Sequence, residues 1–329
     1  MAYKERLKAL AEGKTVTPPA ISLWKHFPMD DLEPDTFTDI TTGFQAKYEW
    51  DFIKVSHNGL YSVEDWGSKI NWAQHRMEVP RVHEFGIQSP KDWLELEPLP
   101  PKEGALGREV ASTKKILEWS RNQGGEVPVL PTIFSPATTA RKMSGERFEE
   151  HIKSNKKEVH KALETITETT VNFLKVLLES GIDGIFFATQ LATYDLISYE
   201  EYKEFGVEYD LRVLEEVQGK TLFNIFHIHG NNTMFDQVKD YPVEALNWHD
   251  RRTYPSLRQA REMTDKVLIG GIDEHGTLKT AGEKELAEHV EDAISQVEDG
   301  RIILGPGCVV PLDCPESQME QLKKIVASK

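Results

Sequence analysis

The chain has 329 residues, of which 39% are hydrophobic, and its formal net charge of −15 comes from 39 Lys and Arg against 54 Asp and Glu. This apolar share is enough for a large core, and no apolar run approaches the ~18 residues of a membrane span. The acidic balance, without any basic cluster, argues against a nucleic-acid or anionic-membrane surface. A small acidic substrate is not excluded, because a few local cations can hold it.

The N-terminus and the cysteines limit the cellular setting. The first residues, "MAYKERLKALAEGK", carry charges throughout and lack the apolar stretch of a signal peptide, so we expect a cytoplasmic protein. The two cysteines, Cys308 and Cys314, both lie near the C-terminus. Two cysteines are too few for a disulfide framework to be the main source of stability, and without a C-x-x-C motif there is no paired-thiolate zinc signature.

Short apolar runs, rich in β-branched residues, are separated by longer segments with helical periodicity. Hydrophobic residues in these runs are continuous rather than alternating, which favours strands buried on both faces. The predicted strands are 20–24, 51–56, 127–134, 183–188, 221–228, 243–248, 266–272 and 301–305, with a less certain one near "PRVHEF".

The segments between the predicted strands have helical signals. Apolar residues recur every 3 to 4 positions over 146–180, and Gly181 is expected to end that helix. A similar segment after Ala281 is closed by Gly300, and the last helix opens at Pro315.

Repeated strand and helix over the C-terminal two thirds predicts parallel strands joined by right-handed crossovers. About eight strands is the count of a single (β/α)8 TIM barrel. An open doubly wound sheet is the alternative, although no G-x-G-x-x-G follows the first strand. The irregular first ~120 residues are interpreted as an N-terminal extension of the same barrel, giving one domain over residues 1–329.

Functional residues of such a barrel lie at the carboxyl ends of its strands and in the loops that follow. The residues so placed are Ser56, His57, Asn58, Ser135, Thr138, Thr139, Arg141, Lys142, Thr189, Gln190, His227, His229, Trp248, His249, Asp250, Asp273, Glu274 and Cys308.

His227 and His229 in "NIFHIHGNN" are the strongest candidates for metal ligands. Residues i and i+2 of a strand point to the same side, so both imidazoles are expected to face the barrel mouth. Cys308 follows the last strand, and two imidazoles with one thiolate make a donor set typical of catalytic zinc. The alternative is that the histidines hydrogen-bond locally and Cys308 packs as a small apolar residue.

Other mouth residues are open to two interpretations. Arg141 and Lys142 can hold a carboxylate or phosphate, or be solvated. His57 suits an acid or base near neutral pH, or a satisfied boundary group. "NWHDRR", which contains Trp248, suits a site wall or a salt-bridged loop.

Several segments together resemble the uroporphyrinogen decarboxylase superfamily over nearly the whole chain. They are "ISLWKHFP", "DFIKVSHNGLYSVEDWG", "SGIDGIFFAT", "FHIHGN", "VEALNW", "LIGGID" and "ILGPGCVVPLDCPESQMEQLK". The resemblance implies a (β/α)8 barrel and one of two chemistries. One is metal-free porphyrinogen decarboxylation; the other is zinc-dependent methyl transfer with a corrinoid, in which H-x-C and a later Cys bind zinc.

The decarboxylase pattern fits this sequence poorly. Its R-Q-A-G-R-Y motif is replaced by "WKHFPMD", its essential Asp falls near Ser56 and His57, and its final His is Pro306 here. Its Tyr falls near Arg141 or Lys142, and only a hydroxyl, at Thr189, survives.

The zinc pattern fits better, since His227 matches the family His and Cys308 the later Cys. His229 departs from it, because that branch has Cys there; one thiolate instead of two leaves a zinc centre near +1.

The resemblance therefore implies a zinc-dependent methyltransferase that moves a methyl group to or from a corrinoid (cobalamin) or corrinoid protein, with a small-molecule methyl donor or acceptor. A decarboxylase with altered contacts and a non-catalytic tetrapyrrole-binding barrel are the alternatives. A homodimer is expected by resemblance alone. The predicted roles are metal ligand for His227, His229 and Cys308, catalysis for His57, Thr189 and Asp273, and substrate binding for Arg141, Lys142 and Trp248.

Overall fold

The computed structural model describes residues 1–124 and 126–329. Within these residues the chain forms ten strands, eight of them in one sheet and two in a hairpin. The strands are β1 (Ala20–Ile21), β2 (Ile53–Val55), β3 (Lys69–Asn71), β4 (Arg81–Glu84), β5 (Val129–Phe134), β6 (Phe186–Thr189), β7 (Ile225–Ile228), β8 (Ala245–Trp248), β9 (Val267–Ile272) and β10 (Ile302–Pro306).

The large sheet curls into a barrel of parallel strands in the order β1-β10-β9-β8-β7-β6-β5-β2. Its two edge strands, β1 and β2, are joined by individual backbone and side-chain hydrogen bonds rather than by a regular ladder. The Asp51 amide donates to the Ile21 carbonyl at 3.0 Å, and the Phe52 amide donates to Ser22 Oγ at 3.0 Å. The predicted (β/α)8 barrel is confirmed.

Helices surround the sheet and connect its strands. They are α1 (Tyr3–Ala11), α2 (Pro34–Tyr48), α3 (Tyr61–Glu64), α4 (Gly104–Arg121), α5 (Pro136–Ser144), α6 (Arg147–Ser154), α7 (Lys156–Ser180), α8 (Tyr199–Tyr202), α9 (Glu208–Glu215), α10 (Phe235–Val238), α11 (Leu257–Met263), α12 (Thr277–Thr280), α13 (Glu283–Ser295) and α14 (Glu316–Ala327). A 3₁₀ turn (Asp92–Glu95) and a π-helical segment (Lys203–Val207) complete them. No helix of the described residues is long and apolar enough to cross a membrane.

The long helix predicted over 146–180 is two helices, α6 and α7, that meet at Asn155. Asn155 leaves the helical region with φ −135° and ψ 43°, which turns the chain between them. The predicted end at Gly181 is confirmed, because Gly181 has φ +84°, a left-handed conformation that favours glycine.

The core has two layers, one inside the barrel and one between the barrel and its helices. The inner layer includes Trp24, Phe52, Phe186 and Ile269, while the outer layer is larger and contains the helix-facing residues of the strands. Successive strand residues alternate between the layers, as the pleat requires. This alternation decides which polar side chains reach the barrel interior.

The segment near "PRVHEF" forms β4, which pairs antiparallel with β3 outside the barrel. The exposed side chains of Met77 and Val79 lie in the connection between these strands. Val79 also borders the cavity at the barrel mouth. The N-terminal extension therefore contributes a hairpin to the edge of the mouth.

Candidate metal centre

Three side chains at the carboxyl ends of barrel strands come together at the mouth. His227 lies in β7, His249 follows the last residue of β8, and Cys308 comes two residues after β10. One ring nitrogen of each histidine and the Cys308 sulfur all lie within 4.8 Å of one another. We call this group the HHC cluster.

The orientation of His227 is fixed by Asn247 of the neighbouring strand. The Asn247 amide nitrogen donates to the carbonyls of Ile269 and Pro306, each at 3.0 Å, so its oxygen must face the opposite way. That oxygen lies 2.6 Å from His227 Nδ1. Since an amide oxygen only accepts, His227 carries its proton on Nδ1 and presents the lone pair of Nε2.

His249 is held differently, by a cation. Arg252 Nη2 donates to His249 Nδ1 at 2.8 Å and also pairs with Glu274 Oε1 at 2.5 Å. A guanidinium only donates, so Nδ1 is the acceptor and a neutral ring carries its proton on Nε2. Metal binding by His249 therefore requires Arg252 to release Nδ1. Burial, followed by repulsion from His229, lowers the pKa of His249 to about 3, so the ring is neutral.

Cys308 is placed by the glycine that precedes it. A Cβ on Gly307 would lie 2.8 Å from the His249 Cα, and the Gly307 amide donates to Glu274 Oε2 at 3.1 Å. The loop after β10 therefore packs directly on the chain at His249. Burial raises the pKa of the Cys308 thiol, so a metal would have to displace its proton.

The HHC cluster fits zinc by donor type and by spacing. Two imidazoles and one thiolate are zinc ligands, and a tetrahedral ion holds N and S donors about 3.3 to 3.8 Å apart. The cluster needs to contract by about 1 Å to reach that spacing. A cavity of about 500 Å³ opens beside His249 and Cys308, which leaves room for a fourth ligand from a substrate.

His229, a predicted ligand, lies outside the HHC cluster. Its ring centre is 5.0 Å from that of His249 and 6.0 Å from that of His227, and it lines the cavity. The register pairs His227 with Asn247, which places His229 and His249 opposite each other just beyond the strand ends. The structure thus brings together His227 and Cys308 as expected, with His249 in the place predicted for His229.

The two residues predicted to bind an anion, Arg141 and Lys142, have different partners in the structure. Arg141 pairs with Glu149 at 2.8 Å, so its charge is already balanced within the protein. Lys142 donates to the Gly59 carbonyl at 2.7 Å, and its ammonium lies 3.4 Å from the centre of the Phe134 ring. Burial lowers the pKa of Lys142 to about 7. Of the two, Lys142 is the better candidate for contact with a substrate anion.

His57, a predicted catalytic residue, packs away from the HHC cluster. Its side chain is fully buried, with Nδ1 2.7 Å from Glu109 Oε2 of α4 and the ring against Phe37 and Tyr61. This placement suits a buried polar pair that joins the end of β2 to α2 and α4.

Thr189 and Asp273, the other predicted catalytic residues, form internal hydrogen bonds. Thr189 is fully buried and its hydroxyl lies 3.3 Å from the Tyr202 hydroxyl. Asp273 Oδ1 accepts from the amides of His275 and Gly276, which closes the turn after β9. Both therefore hold the loops of the mouth in place.

The substrate-binding role predicted for Trp248 does not fit its position. Trp248 is fully buried, its indole donates to the Pro255 carbonyl at 2.7 Å, and it packs on Phe235 of α10. Because Asn247 points into the barrel, the next residue must point out towards the helices. Trp248 is a core residue behind the strand.

The sequence predicts no individual role for Asn247, Lys54 or Arg252, although Asn247 and Arg252 lie in the "NWHDRR" segment, and it does not predict His249 as a ligand. For His249 a signal was present, since it directly follows a predicted strand end. Lys54 also had one, as a charged residue inside an apolar run.

Fold and site define a (β/α)8 barrel with a candidate His, His, Cys metal centre at the carboxyl ends of its strands. Residues 25–328 match the uroporphyrinogen decarboxylase (URO-D) family. The chain therefore belongs to this family, as the sequence motifs predict.

Curated relatives lie in the methyltransferase branch. The chain is 23% identical to the methylcobamide:CoM methyltransferase MtbA of Methanosarcina acetivorans over 85% of its own length and 78% of that protein's. It is also 23% identical to a methylated-thiol–coenzyme M methyltransferase of Methanosarcina mazei, over 79% of this chain and 67% of that protein. The predicted similarity to the corrinoid methyltransferases is confirmed.

Solved structures support the fold. A methyltransferase from Methanosarcina mazei superposes with a TM-score of 0.85 at 20% identity, covering 100% of this chain and 99% of that one. A B12-independent methionine synthase from Shewanella sp. W3-18-1 gives a TM-score of 0.60 at 13% identity, with 94% of each chain covered.

Proposed function

We propose that the protein is a corrinoid-linked methyltransferase whose HHC cluster holds zinc. The observation that carries this proposal is the convergence of His227, His249 and Cys308 within 4.8 Å at the mouth of the barrel. Relatives that are methylcobamide:CoM methyltransferases support the reaction class. The methyl group would pass between a corrinoid, free or on a partner protein, and a small molecule.

Zinc, when bound, supplies a Lewis acid that lowers the pKa of a substrate thiol or polarises a methyl donor. The chain's own residues prepare for it. Asn247 fixes the His227 ring with Nε2 free, and Gly307 brings Cys308 against His249. Burial keeps His227 neutral by holding its pKa well below the usual range, so its lone pair is available at any pH near neutrality.

The position of Arg252 decides whether His249 is free to bind a metal. While Arg252 pairs with Glu274 and His249, His249 is not free to bind. Once Arg252 turns away, Glu274 Oε1, at 3.9 Å, is the acceptor within reach of His249 Nδ1–H. The buried carboxylate of Glu274 would then stabilise a bound metal cation and orient the His249 imidazole.

The test is methyl transfer from methylcobalamin to small thiols, followed by the absorbance change of the corrinoid. We expect activity that is lost with a chelator and restored by zinc. His227→Ala and Cys308→Ala should each lower the rate by at least about 100-fold. Cys314→Ala is the matched control, because this second cysteine lies outside the HHC cluster.

Two outcomes would contradict the proposal. The first is chelator-treated protein with an unchanged methyl-transfer rate. The second is decarboxylation of uroporphyrinogen that persists in both ligand variants, which would assign the decarboxylase activity instead.

A further inference from the structure

A second cavity adjoins the one beside the HHC cluster, and we call it the side cavity. It has a volume of about 380 Å³ and shares His26 and Leu312 with the cavity beside the HHC cluster. The connection between β3 and β4, residues 72–80, borders both cavities, the first through Met77 and the second through Val79. A reactant that lies at the HHC cluster can therefore extend past the shared residues into the side cavity.

The walls of the side cavity are largely aromatic and apolar. The ring of Phe27 meets the ring of Phe44 edge to face with centres 5.8 Å apart, and Phe44 continues to Tyr48 at 4.9 Å. Met77, which is 54% exposed, adds an adaptable thioether on the side of the solvent. Aromatic rings and thioethers bind flat, weakly polar rings better than they bind strongly hydrated groups. The side cavity therefore suits a planar aromatic group.

The charged residues at the edge of the side cavity leave one cation without a partner. Arg76 pairs with Asp30 at 3.0 Å. Lys47 pairs with Glu316 at 2.7 Å. Lys25 borders the same cavity, and in the described part of the chain it forms no ion pair with a carboxylate. An aromatic group linked to a single negative charge would match this arrangement.

Of the reactants in the proposed function, the corrinoid is the one long enough to reach both cavities. A small thiol or methyl donor fits within the cavity of about 500 Å³ beside the HHC cluster. Cobalamin is larger. Its methyl group lies on one face of the corrin ring, and a nucleotide tail, with a phosphodiester and a planar dimethylbenzimidazole base, extends from the edge of the ring. With the methyl group at the HHC cluster, the ring would cover the mouth and the tail would start at the rim, beside the side cavity.

We propose that the side cavity binds the dimethylbenzimidazole base of a free cobalamin, with Phe27 and Phe44 against the base and Lys25 near the phosphodiester. The inference rests on the proposed function and selects one of its two sources of corrinoid, since a corrinoid held by a partner protein would not need a tail site here. The base must leave the cobalt to enter the side cavity. Cobalt(I), the form left when the methyl group departs as a cation, is four-coordinate and does not hold the base, so the demethylated corrinoid fits best.

The experiment uses cobalt(II) corrinoids under anaerobic conditions, because electron paramagnetic resonance shows whether a base nitrogen is bound to cobalt(II). Cob(II)alamin is compared with cob(II)inamide, which has the same ring and no nucleotide tail, and affinities are measured by equilibrium dialysis.

Two variants change the side cavity, Phe44→Leu and Gly43→Leu. Gly43 lies in α2 and borders the side cavity, and a Cβ there meets no atom within 4 Å, so leucine takes up room in the cavity without a backbone clash. The controls are Gly43→Ala and Phe85→Leu, the second at a partly buried phenylalanine outside the residues that border the side cavity.

We expect cob(II)alamin to bind the wild type with its base off the cobalt and at least about fivefold more tightly than cob(II)inamide. Phe44→Leu and Gly43→Leu should each lower the affinity for cob(II)alamin by at least about fivefold and leave the affinity for cob(II)inamide unchanged. Both controls should behave like the wild type. Gly43→Leu should keep or raise the melting temperature, because leucine favours a helix more than glycine does, so its weaker binding would not reflect unfolding.

Bound cob(II)alamin that keeps its base on the cobalt would overturn the inference, as would binding of neither corrinoid. Equal affinity for the two corrinoids, in a protein that transfers methyl groups, removes the tail site and leaves the proposed function intact. Failure of the proposed function looks different. If cob(II)alamin binds with its base off and depends on Phe44, while the protein takes up no zinc and transfers no methyl group, the tail site stands and the methyltransferase assignment falls.

Discussion

The protonation of His227 is decided by the side-chain amide of Asn247 on the neighbouring strand. Asn247 can offer only its oxygen to His227, since its nitrogen is committed to two carbonyls. The sequence predicts His227 as a ligand from its place at a strand end, but not the partner that orients it. That partner is set by register between β7 and β8, which pairs His227 with Asn247.

Asn247→Leu should weaken zinc binding by about 10- to 100-fold, because the His227 ring loses the acceptor that fixes its tautomer. The measurement is a competition titration with a chromophoric chelator. Asn231→Leu is the control, since Asn231 borders the cavity but is exposed. Equal zinc affinity in the wild type and Asn247→Leu would rule out this orienting role.

The register between neighbouring strands also explains why His249, and not His229, belongs to the HHC cluster. Alternation along one strand predicts that His227 and His229 share a side, which is a statement about one chain segment. Which neighbour completes the cluster depends on the adjacent strand, and a single sequence does not give that register. Lys54 is a different case, because its position inside an apolar run is a sequence signal for a buried cation, although no such prediction was made for it.

At the scale of elements, hydrophobic runs and glycines predicted all eight barrel strands and the end of the long helix. Strand starts were placed up to four residues early. At 221–228, for example, Leu222 and Phe223 donate to the Asp183 carbonyl, and Asn224 accepts from the Ile185 amide through its side chain. Apolar composition continues there, but ladder pairing begins only at Ile225. The break between α6 and α7 at Asn155 is a change of backbone conformation, and the hydrophobic pattern of the sequence does not indicate it.

Gly181→Ala should lower the free energy of unfolding by about 1 to 2 kcal/mol, because an L-residue is strained at φ +84°. Urea denaturation measures the change. Gly43→Ala is the matched control: Gly43 lies inside α2 with open space around its Cβ position, so alanine there should stabilise by about 0.5 to 1 kcal/mol. A stabilising Gly181→Ala would show that the helix end does not need the left-handed residue.

For the whole molecule, buried acids tie stability to pH. Asp210 lies under the hydroxyls of Tyr202 and Tyr241, at 2.6 and 3.1 Å from Oδ2. Burial raises its pKa from 3.8 to about 7. A raised pKa in an acid means that the folded state binds the proton more tightly. The stabilisation is therefore present at low pH and is lost as pH rises towards 7.

Asp210→Asn should remove this dependence. Between pH 5.5 and 8 the variant should gain about 2 kcal/mol of stability relative to the wild type, as measured by urea denaturation at both pH values. Asp195→Asn, at an exposed position, should show no such change. A constant difference between wild type and Asp210→Asn across this range would contradict the assignment.

The family match over residues 25–328 and the barrel agree with the interpretation made from the sequence. One domain over residues 1–329 stays a prediction. The composition indicates an acidic protein, whereas the mouth gathers Lys54, Lys142 and Arg252 beside four histidines, His26, His227, His229 and His249. Net charge describes the chain as a whole, whereas the electrostatics of the site depend on the few cations that point into the barrel.

The most direct test of the metal centre is the zinc content of the purified wild type, His249→Ala and His229→Ala, measured by atomic emission. The HHC cluster predicts about one zinc per chain in the wild type, loss of zinc in His249→Ala and retention in His229→Ala. Loss in His229→Ala with retention in His249→Ala would instead restore the ligand set read from the sequence. A wild type that is folded and does not take up zinc would contradict the metal centre itself.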